Sequence, residues 1–599
     1  MKVESLTAQS GVSSDTSVVA DTPYMRSEES ESTLLRFLFR SVAVGLGGLH
    51  AWVAATQQSM SEDGISYLDM GDAYLRGDWN MAVNTVWSPL YSWILGIGMK
   101  IIQPTLYSEI AVVHLINFGI YLFALIAFEF LWRELFRNSQ TRGSEGNDSK
   151  VGFPEWVWFS VGYALFIWSA LSLIKVWAVT PDMLMAGCVY LAGGLLYRIA
   201  TRCRDWSIFL MFGFVLGIAY LAKSVMFPVA FVFLGVALVV AGEIRRSGPR
   251  IVGALLVFLL VAAPFVVLFS VAKGRVTFGD AGRLTYLKLV NGIPYPHWRP
   301  GVISGVGTPQ HPARQIFENP AVFEFATPVG GTYPLSYDPS YWYEGVVPPL
   351  DIKKQVAVLV KNAGFYFDLF LRQQGGVTAI VLLLLFIGVK RRSLQSWLRG
   401  EWGLVLVAIG AFGLYALVYL EGRYIGAFLV LFWAGLFSSI RIPKSLLSQR
   451  LMAVAGAILA GCYLLNIVSF NLEGLKRIGV LERSSGKESA QDQSPSYKPV
   501  RLAEAVLEMG LKPGDDIAFI GYSFGAFFAR LARLRVIAEI SDDQAESFWR
   551  ADPDRRSAVV EAIRKTGAKA IIAERVTPGL SVDGWRRIGN SRHFLYLLS

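Results

Sequence analysis

The feature that most constrains the fold is a series of apolar runs, each close to the length that crosses a bilayer. A transmembrane helix needs about 20 predominantly apolar residues, and this chain of 599 residues is 53% hydrophobic and 17% charged. The sequence therefore predicts a polytopic α-helical membrane protein with about 11 spans. The predicted spans cover residues 36–57, 108–132, 154–174, 183–200, 206–222, 225–242, 250–272, 376–390, 402–420, 425–440 and 451–470.

Basic residues predict how these spans are oriented. Cytoplasmic loops are enriched in Lys and Arg, and a cytoplasmic N-terminus places every short basic cluster on one side. Counting the short apolar stretch 88–103 as a span breaks this agreement, so we interpret it as an embedded or interfacial helix; the alternative is about 12 or 13 spans. The net charge of +10 fits basic loops and gives no reason to predict a nucleic-acid partner. The basic residues that this orientation places on the cytoplasmic side are Arg133, Arg137, Arg142, Lys150, Arg198, Arg202, Arg204, Arg245, Arg246, Arg250, Lys390, Arg391, Arg392, Arg399, Arg441, Lys444 and Arg450.

Composition divides the chain into segments with different expected structures. They are a disordered Ser- and Glu-rich tail over 1–33, a transmembrane module over 34–272, an extracytoplasmic loop over 273–375, further spans over 376–470, a linker over 471–497 and an extracytoplasmic α/β domain over 498–599. The long loop is rich in Gly, Pro and aromatic residues and ends in an amphipathic segment, Asp351 to Arg372, typical of a helix on the membrane surface.

Alternating apolar patterns in the last hundred residues predict a small α/β domain. The expected elements are a helix over 500–509, strands over 516–520 and 535–540, a helix over 555–566, and strands over 569–576 and 594–598. Gly521 to Gly525 fits the G-x-S-x-G pattern of a hydrolase nucleophile. The domain is too short for a hydrolase fold, so we attribute these glycines to tight packing.

An acidic and aromatic stretch follows the first predicted span. Residues 61–93 (SEDGISYLDMGDAYLRGDWNMAVNTVWSPLYSW) carry four aspartates, Asp63, Asp69, Asp72 and Asp78, among six Tyr and Trp residues. A connection between two spans needs only a few polar residues. The stretch therefore predicts a site rather than a link.

This stretch resembles the first extracytoplasmic loop of the GT-C superfamily of membrane glycosyltransferases, such as protein O-mannosyltransferases and the aminoarabinose transferases of lipid A. Its members carry an acidic residue after the first span, then an acidic run ending in Tyr-Leu-x-Gly, then a Pro-Leu that begins a helix. Those positions are filled here by Asp63, by Asp69 to Gly77 and by Pro89-Leu90. The sequence departs at Gly64, where a second acidic residue is usual, and at Ser88, where a second proline is usual. The resemblance covers residues 36–440.

The resemblance implies two catalytic carboxylates. Asp63 would be the base that takes the acceptor's proton. Asp182, in the Thr180-Pro181-Asp182 turn, would orient the acceptor or bind a divalent cation. Both aspartates stand where helices are expected to begin, so helix capping is the alternative interpretation of each.

The resemblance also implies cations that bind the donor phosphate. Lys223 ends one predicted span and Arg423 lies in the Glu421-Gly422-Arg423-Tyr424 turn before another, and Lys175 is a third candidate. A developing phosphate charge needs such cations. The alternative is that these long side chains reach the lipid headgroups. Residues predicted to contact sugar or acceptor are Tyr67, Trp87, His297, Trp298, Trp342 and Glu421; interfacial anchoring of the aromatic residues is the alternative.

The resemblance implies an inverting hexosyl- or pentosyltransferase that moves a sugar from a polyprenyl-phosphate donor to an extracytoplasmic lipid, glycan or protein. We expect it in the bacterial inner membrane among membrane lipids, with its site towards the periplasm. A divalent cation is an open requirement, and the metal is unknown. The alternative is a transporter or flippase of lipid-linked sugars, which would place ionisable groups near mid-membrane and show internal repeats.

The predicted topology is testable with a reporter fused after Phe470. The basic-loop pattern predicts an extracytoplasmic signal, because an odd number of spans separates that junction from a cytoplasmic N-terminus. Fluorescent and phosphatase reporters give opposite readouts on the two sides of the membrane. A cytoplasmic signal would distribute the predicted site residues over both faces.

Overall fold

A computed structural model describes most of the chain. The described residues are 23–58, 60–144, 150–151, 153–201, 205–242, 244–293, 305–308, 310, 313–325, 330–388, 402–440, 442–443, 445–477, 499–576 and 583–598. The α-helices are α1 Pro23–Thr56, α2 Glu62–Arg76, α3 Trp79–Ala82, α4 Pro89–Ile102, α5 Glu109–Ser144, α6 Glu155–Trp168, α7 Asp182–Thr201, α8 Trp206–Ala222, α9 Met226–Val240, α10 Ile244–Lys273, α11 Ala281–Thr285, α12 Pro334–Tyr337, α13 Ile352–Phe367, α14 Gly375–Gly388, α15 Trp402–Ala416, α16 Gly422–Ser439, α17 Leu446–Arg477, α18 Pro499–Glu508, α19 Phe527–Leu531, α20 Asp542–Arg550 and α21 Pro553–Arg564.

The helices confirm a polytopic membrane protein. Within the described residues, 7 helices are long and apolar enough to cross a membrane, and a bent pair raises that count to 8. Four shorter apolar helices, α4, α8, α9 and α15, pack among them. Every predicted span overlaps one of these helices, and the stretch 88–103 forms α4.

The bent pair contains the predicted amphipathic helix. Helix α13 and its π-helical continuation Asp368–Gln373 meet α14 at an angle of 81°. Ile352, Val356 and Val360 are all exposed on α13, at the four-residue spacing that places side chains on one helix face. This arrangement fits a helix that lies along the membrane surface before the chain turns into it.

The predicted sorting of loops agrees with the contacts between them. At one end of the helical bundle, strand β1 Lys150–Val151 pairs with strand β4 Ile442–Pro443, which joins two of the basic loops. At the same end, Arg198 on α7 pairs with Glu134 on α5 at 2.7 Å. We call this the basic end. The opposite end carries α2, the long loop and the C-terminal domain, and we call it the site end.

Helix α2 packs closely on α4 because both have a glycine at the crossing. A Cβ atom on Gly71 would lie 2.8 Å from the carbonyl oxygen of Ser92, and one on Gly96 would lie 3.1 Å from the carbonyl oxygen of Gly71. Real Cβ atoms essentially never approach backbone as closely as 2.8 Å, and 3.1 Å is unusually tight, so glycines allow the two backbones to meet here. This contact fixes α2 on the apolar bundle at the site end.

The C-terminal domain is built on a seven-stranded sheet with strand order β2-β3-β6-β5-β7-β9-β8. Its strands are β2 Arg314–Phe317, β3 Val322–Glu324, β5 Asp516–Gly521, β6 Arg535–Ser541, β7 Ala570–Ala573, β8 Arg586–Arg587 and β9 Phe594–Leu597. The central strands β6, β5 and β7 run parallel, and the flanking pairs are antiparallel. The predicted helices and strands of this domain are all present, with bounds shifted by a few residues.

The long loop and the C-terminal domain share this sheet. Strands β2 and β3 come from the loop, and Phe323 on β3 pairs with Glu539 on β6. An uncovered β6 would expose a row of unpaired backbone groups, which the loop hairpin covers. The sequence prediction treated the two segments as separate, because strands paired across 200 residues leave no local pattern.

Two predicted segment bounds are wrong. Helix α1 begins at Pro23, inside the tail predicted to be disordered over 1–33. Proline suits the first helical position, and the apolar span that follows propagates the helix backwards through the Glu-rich run. Helix α17 extends to Arg477, so the linker predicted over 471–497 does not begin at residue 471. Residues 1–22 and 478–498 lie outside the described part of the chain.

A buried arginine docks the C-terminal domain on α2 and α5. The Arg530 side chain is only 4% exposed and lies 3.0 Å from Asp69, against Asp72, and 3.4 Å from Glu109. Asp69 also accepts hydrogen bonds from the backbone N–H of Thr332 at 2.6 Å and from its hydroxyl at 3.1 Å. The Arg530 guanidinium therefore joins the C-terminal domain to α2 and the start of α5, and Asp69 adds the long loop through Thr332.

Replacing Arg530 should loosen this docking strongly. Arg530→Met keeps an apolar stem but leaves buried carboxylates without their cation, a change that costs about 3–5 kcal/mol. The measurement is the apparent melting temperature in detergent. Arg535→Met is the matched control, since Arg535 pairs with Asp516 at an exposed position where ion pairs contribute about 0–1 kcal/mol. Equal effects of the two variants would show that Arg530 has no special docking role.

Candidate active site

The first turn of α2 is positioned by Ser61. The Ser61 hydroxyl accepts a hydrogen bond from the Gly64 backbone N–H at 3.2 Å and donates one to the Val179 carbonyl at 3.0 Å. Ser61 therefore caps α2 and ties it to the turn before α7. This settles the alternative interpretation of Asp63, which lies in the first helical turn and is not the cap.

The same contact explains why glycine stands at position 64. A Cβ atom there would lie 2.8 Å from the Val179 side chain and 2.7 Å from the Met60 sulfur. An acidic side chain, usual at this position in the GT-C pattern, would have to displace both neighbours. The departure at Gly64 thus follows from the close approach of α2 to the turn before α7.

Asp182 and Lys223 form a buried ion pair beside Asp63. Asp182 is the first residue of α7 and its side chain is 1% exposed, while Lys223 follows the last residue of α8. The Lys223 ammonium donates to the Asp182 carboxylate and lies 3.9 Å from the centre of the Tyr424 ring. A charge this deeply buried needs such a partner.

Arg423 joins three carboxylates, and these residues together with Lys223 form what we call the ion-pair cluster. Arg423 lies in the first turn of α16, and its guanidinium is 3.5 Å from Asp63, 3.8 Å from Asp182 and 2.9 Å from Glu421. The two longer distances are ion-pair contacts beyond good hydrogen-bond length. The arginine fork is therefore held near both aspartates without its donors being saturated.

Three helices begin at this cluster. Asp63, Asp182 and Arg423 each lie in the first turn of their helices, α2, α7 and α16. Helix N-termini carry partial positive charge and free N–H groups, which favour anions. Together with Lys223 and Arg423 they give the cluster the chemistry to hold a phosphate next to a carboxylate.

The electrostatics suit a proton acceptor at Asp63. Burial raises the pKa of the Asp63 carboxyl above its ordinary value and neighbouring Asp182 adds to this, while Arg423 and Lys223 oppose it. Some 36% of the Asp63 side chain nonetheless remains accessible. A carboxylate with a raised pKa that can still be reached is a stronger base than an ordinary aspartate.

Tyr67 and Trp87 form the wall behind the cluster. Tyr67 is buried one turn after Asp63, and its ring packs edge-on against Trp87 at 5.3 Å and Tyr91 at 5.1 Å. The Trp87 indole N–H donates to the carbonyls of Ser336 and Tyr337 at 3.1 and 2.9 Å. Trp87 thus uses its polar edge to hold the long loop, and any contact with a sugar would involve its ring.

Two other predicted site residues, Lys175 and Trp342, have contacts away from the cluster. Lys175 lies 5.5 Å over the Trp177 ring, and its contacts in the described chain do not reach Asp182 or Asp63. Trp342 is buried in the long loop, where it packs on Phe325 at 5.7 Å and donates to the Pro334 carbonyl at 3.3 Å. His297 and Trp298 lie outside the described residues. The proposed roles of these four side chains stay predictions.

No group of three or more His, Cys, Asp and Glu side chains arranged to hold a metal occurs among the described residues. The three carboxylates nearest to one another, Asp63, Asp182 and Glu421, are bridged by Arg423. A divalent cation could bind there only by competing with that guanidinium. The predicted requirement for a cation therefore stays open.

Sequence reasoning missed Tyr424 and Ser61 as parts of the site. Tyr424 carries Lys223 on its ring and stacks on Tyr415 at 5.6 Å. Its position directly after Arg423 was the available signal, because a short turn brings neighbouring side chains to the same place. The Ser61 hydrogen bond to Val179 crosses 118 residues, and no spacing rule predicts such a contact.

No protein-family model matches the chain, and no curated protein sequence matches it. Several solved structures are similar to it. ArnT from Cupriavidus metallidurans in the apo state is 12% identical, with a TM-score of 0.49 and coverage of 93% of this chain and 97% of that chain. ArnT from the same organism bound to undecaprenyl phosphate is 13% identical, with a TM-score of 0.38 and coverage of 93% and 97%.

A second kind of protein is similar over most of this chain. The archaeal oligosaccharyltransferase AglB from Archaeoglobus fulgidus, in complex with an inhibitory peptide and a dolichol-phosphate, is 12% identical with a TM-score of 0.44. The similarity covers 89% of this chain and 69% of that chain.

Proposed function

We propose that the chain is an inverting membrane glycosyltransferase that moves a hexose or pentose from a polyprenyl-phosphate donor to an extracytoplasmic lipid, glycan or protein acceptor. Asp63 is the general base, Lys223 and Arg423 bind the donor phosphate, and Asp182 holds both cations in place. The site end faces the exterior, which in a bacterial inner membrane is the periplasm.

One observation carries this proposal. Four ionisable side chains from separate segments contact one another: Asp63, Asp182 and Arg423, in the first turns of three helices, and Lys223, at the end of α8. A structural ion pair needs two partners, but this cluster contains an accessible carboxylate beside two cations. A phosphate ester that loses its sugar to an activated hydroxyl requires that combination.

The proposed reaction is a single displacement. Asp63 takes the proton of the acceptor hydroxyl as its oxygen forms a bond to the anomeric carbon. The bond between that carbon and the phosphate oxygen breaks, and the electron pair leaves with the polyprenyl phosphate. Lys223, Arg423 and the helix N-termini stabilise the charge that develops on the phosphate. Attack opposite to the leaving group inverts the anomeric centre.

The position of the charges favours an enzyme over a transporter. Lys223 lies between α8 and α9, and Asp182 and Arg423 lie in the first turns of α7 and α16. Transport of a lipid-linked sugar would instead place ionisable groups near the middle of the spans. Charges at helix ends suit a phosphate held at the membrane surface while its lipid chain remains in the bilayer.

Asp63→Asn tests the base directly. The amide cannot take a proton, so transfer should fall by about 10²- to 10⁴-fold. Because Ser61 caps α2, the variant should fold and bind donor normally. The assay measures sugar transfer by purified protein in proteoliposomes, using a panel of undecaprenyl-phosphate-linked pentoses and hexoses with a bacterial envelope extract as acceptor.

The pH dependence gives a second readout. The deprotonated carboxylate is the active form, and its raised pKa moves the acidic limb of kcat/KM to higher pH than an ordinary aspartate gives. Residual transfer by Asp63→Asn should lack that limb. Full turnover in the variant would remove Asp63 from the mechanism, and loss of donor binding would make it a ligand instead.

The phosphate assignment predicts a different kinetic signature for the cations. Arg423→Lys keeps the charge but removes the fork, and Lys223→Ala removes a charge. Each should weaken kcat/KM for the donor by about 10- to 100-fold, as the loss of a charged hydrogen bond does. Thermal melting separates this from misfolding. Normal transfer by both variants across a range of donor concentrations would contradict phosphate binding.

A further inference from the structure

The C-terminal domain reaches the residue next to Asp63. The Tyr522 hydroxyl donates a hydrogen bond of 2.7 Å to the carboxylate of Glu62, which lies in the first turn of α2. Residues 62 and 522 are separated by 460 positions and belong to different parts of the fold. The proposed reaction has no step that needs this contact. The G-x-S-x-G pattern around Tyr522 takes no part in that reaction either.

Tyr522 is held rigidly in its loop. Gly521, at the end of β5, has a φ of 132°, and a Cβ atom there would lie 2.8 Å from the Glu574 side chain. Glu574 in turn accepts the Tyr522 backbone N–H at 3.1 Å and pairs with Arg592. Only glycine suits this backbone, and the turn it allows directs Tyr522 towards α2.

The far side of the same loop is anchored to the long loop. The Phe524 ring packs edge-on against Tyr333 at 4.9 Å, and the Tyr333 hydroxyl donates to Glu539 on β6 at 3.0 Å. Tyr522 and Phe524 also contact each other, with ring centres 5.6 Å apart. The segment from Gly521 to Gly525 therefore connects the sheet to α2 through packed and hydrogen-bonded side chains, although 49% of Tyr522 remains exposed.

We propose that Tyr522 is a positioning residue that fixes the first turn of α2, and with it Asp63, through its hydrogen bond to Glu62. The inference rests on the proposed function of Asp63. Arg530 holds α2 further along at Asp69 and Asp72, but no contact of Arg530 in the described chain reaches the first turn. Helix ends fray more easily than helix interiors. Ser61 ties the start of α2 to the Val179 carbonyl, and Tyr522 adds an attachment of the first turn to the C-terminal domain.

The chain offers a matched control for this contact. The Tyr107 hydroxyl, between α4 and α5, donates to Glu504 on α18. This is also a tyrosine–glutamate hydrogen bond between the membrane part and the C-terminal domain, but it contacts neither α2 nor the ion-pair cluster. A variant of Tyr107 therefore weakens docking of the domain without changing the first turn of α2.

The first measurement needs no substrate. In detergent-solubilised protein, Tyr522→Phe removes only the hydroxyl and should speed amide hydrogen exchange across the first turn of α2, whereas Tyr107→Phe should not. Glu62→Ala should reproduce the faster exchange, and Glu62→Gln, which retains an acceptor oxygen, should restore most of the protection. Unchanged exchange in Tyr522→Phe, or equal changes in both tyrosine variants, would overturn the proposal.

The second measurement separates positioning from docking. With the undecaprenyl-phosphate-linked sugar panel, Tyr522→Phe should lower kcat by roughly 10- to 100-fold, the effect of a small misplacement of a catalytic group, and leave KM for the donor unchanged. A normal kcat with a loosened first turn would overturn the positioning role. If the wild-type protein transfers sugar from none of these donors, the proposed function fails, while the exchange measurement still decides whether Tyr522 holds α2.

Discussion

The arrangement of the site end depends on one buried guanidinium. The Arg530 side chain is only 4% exposed. Its buried charge is stable because three carboxylates surround it. Two of them belong to α2 and the third begins α5, so the domain cannot shift without leaving charges buried and unpaired. Asp69 also fixes the long loop, because the Thr332 backbone N–H and hydroxyl both donate to it.

The charges around Arg423 in the ion-pair cluster are paired less closely than those around Arg530. Two cations face three carboxylates, and the distances from Arg423 to Asp63 and Asp182 exceed those of good hydrogen bonds. A network that only stabilised the fold would gain from shorter contacts, as at Arg530. The longer Arg423 contacts leave guanidinium donors for the proposed phosphate ligand, whereas Lys223 is closely paired with Asp182. They also keep the proposed base, Asp63, near positive charge.

The sequence predicted what depends on local pattern. The apolar runs located the membrane helices, and the turns at Asp182 and Glu421 to Tyr424 located most of the cluster, because polar side chains at span ends lie near the same surface. Contacts that cross hundreds of residues were missed, among them Ser61 with Val179 and Arg530 with Asp69. Asp69 and Asp72 belong to the GT-C pattern, yet nothing in their spacing identifies them as docking residues.

Helix α2 combines both roles because its faces point in different directions. Asp63 and Asp72 are nine residues apart, which at 3.6 residues per turn places them on opposite sides of the helix, about 13.5 Å apart along its axis. Asp72 faces the C-terminal domain while Asp63 faces the cluster. A rigid helix of 15 residues transmits a displacement at one end to the other, so a domain docked on one face also determines where the proposed base lies. The aspartates of α2 thus divide into Asp69 and Asp72, which hold the helix, and Asp63, the proposed base.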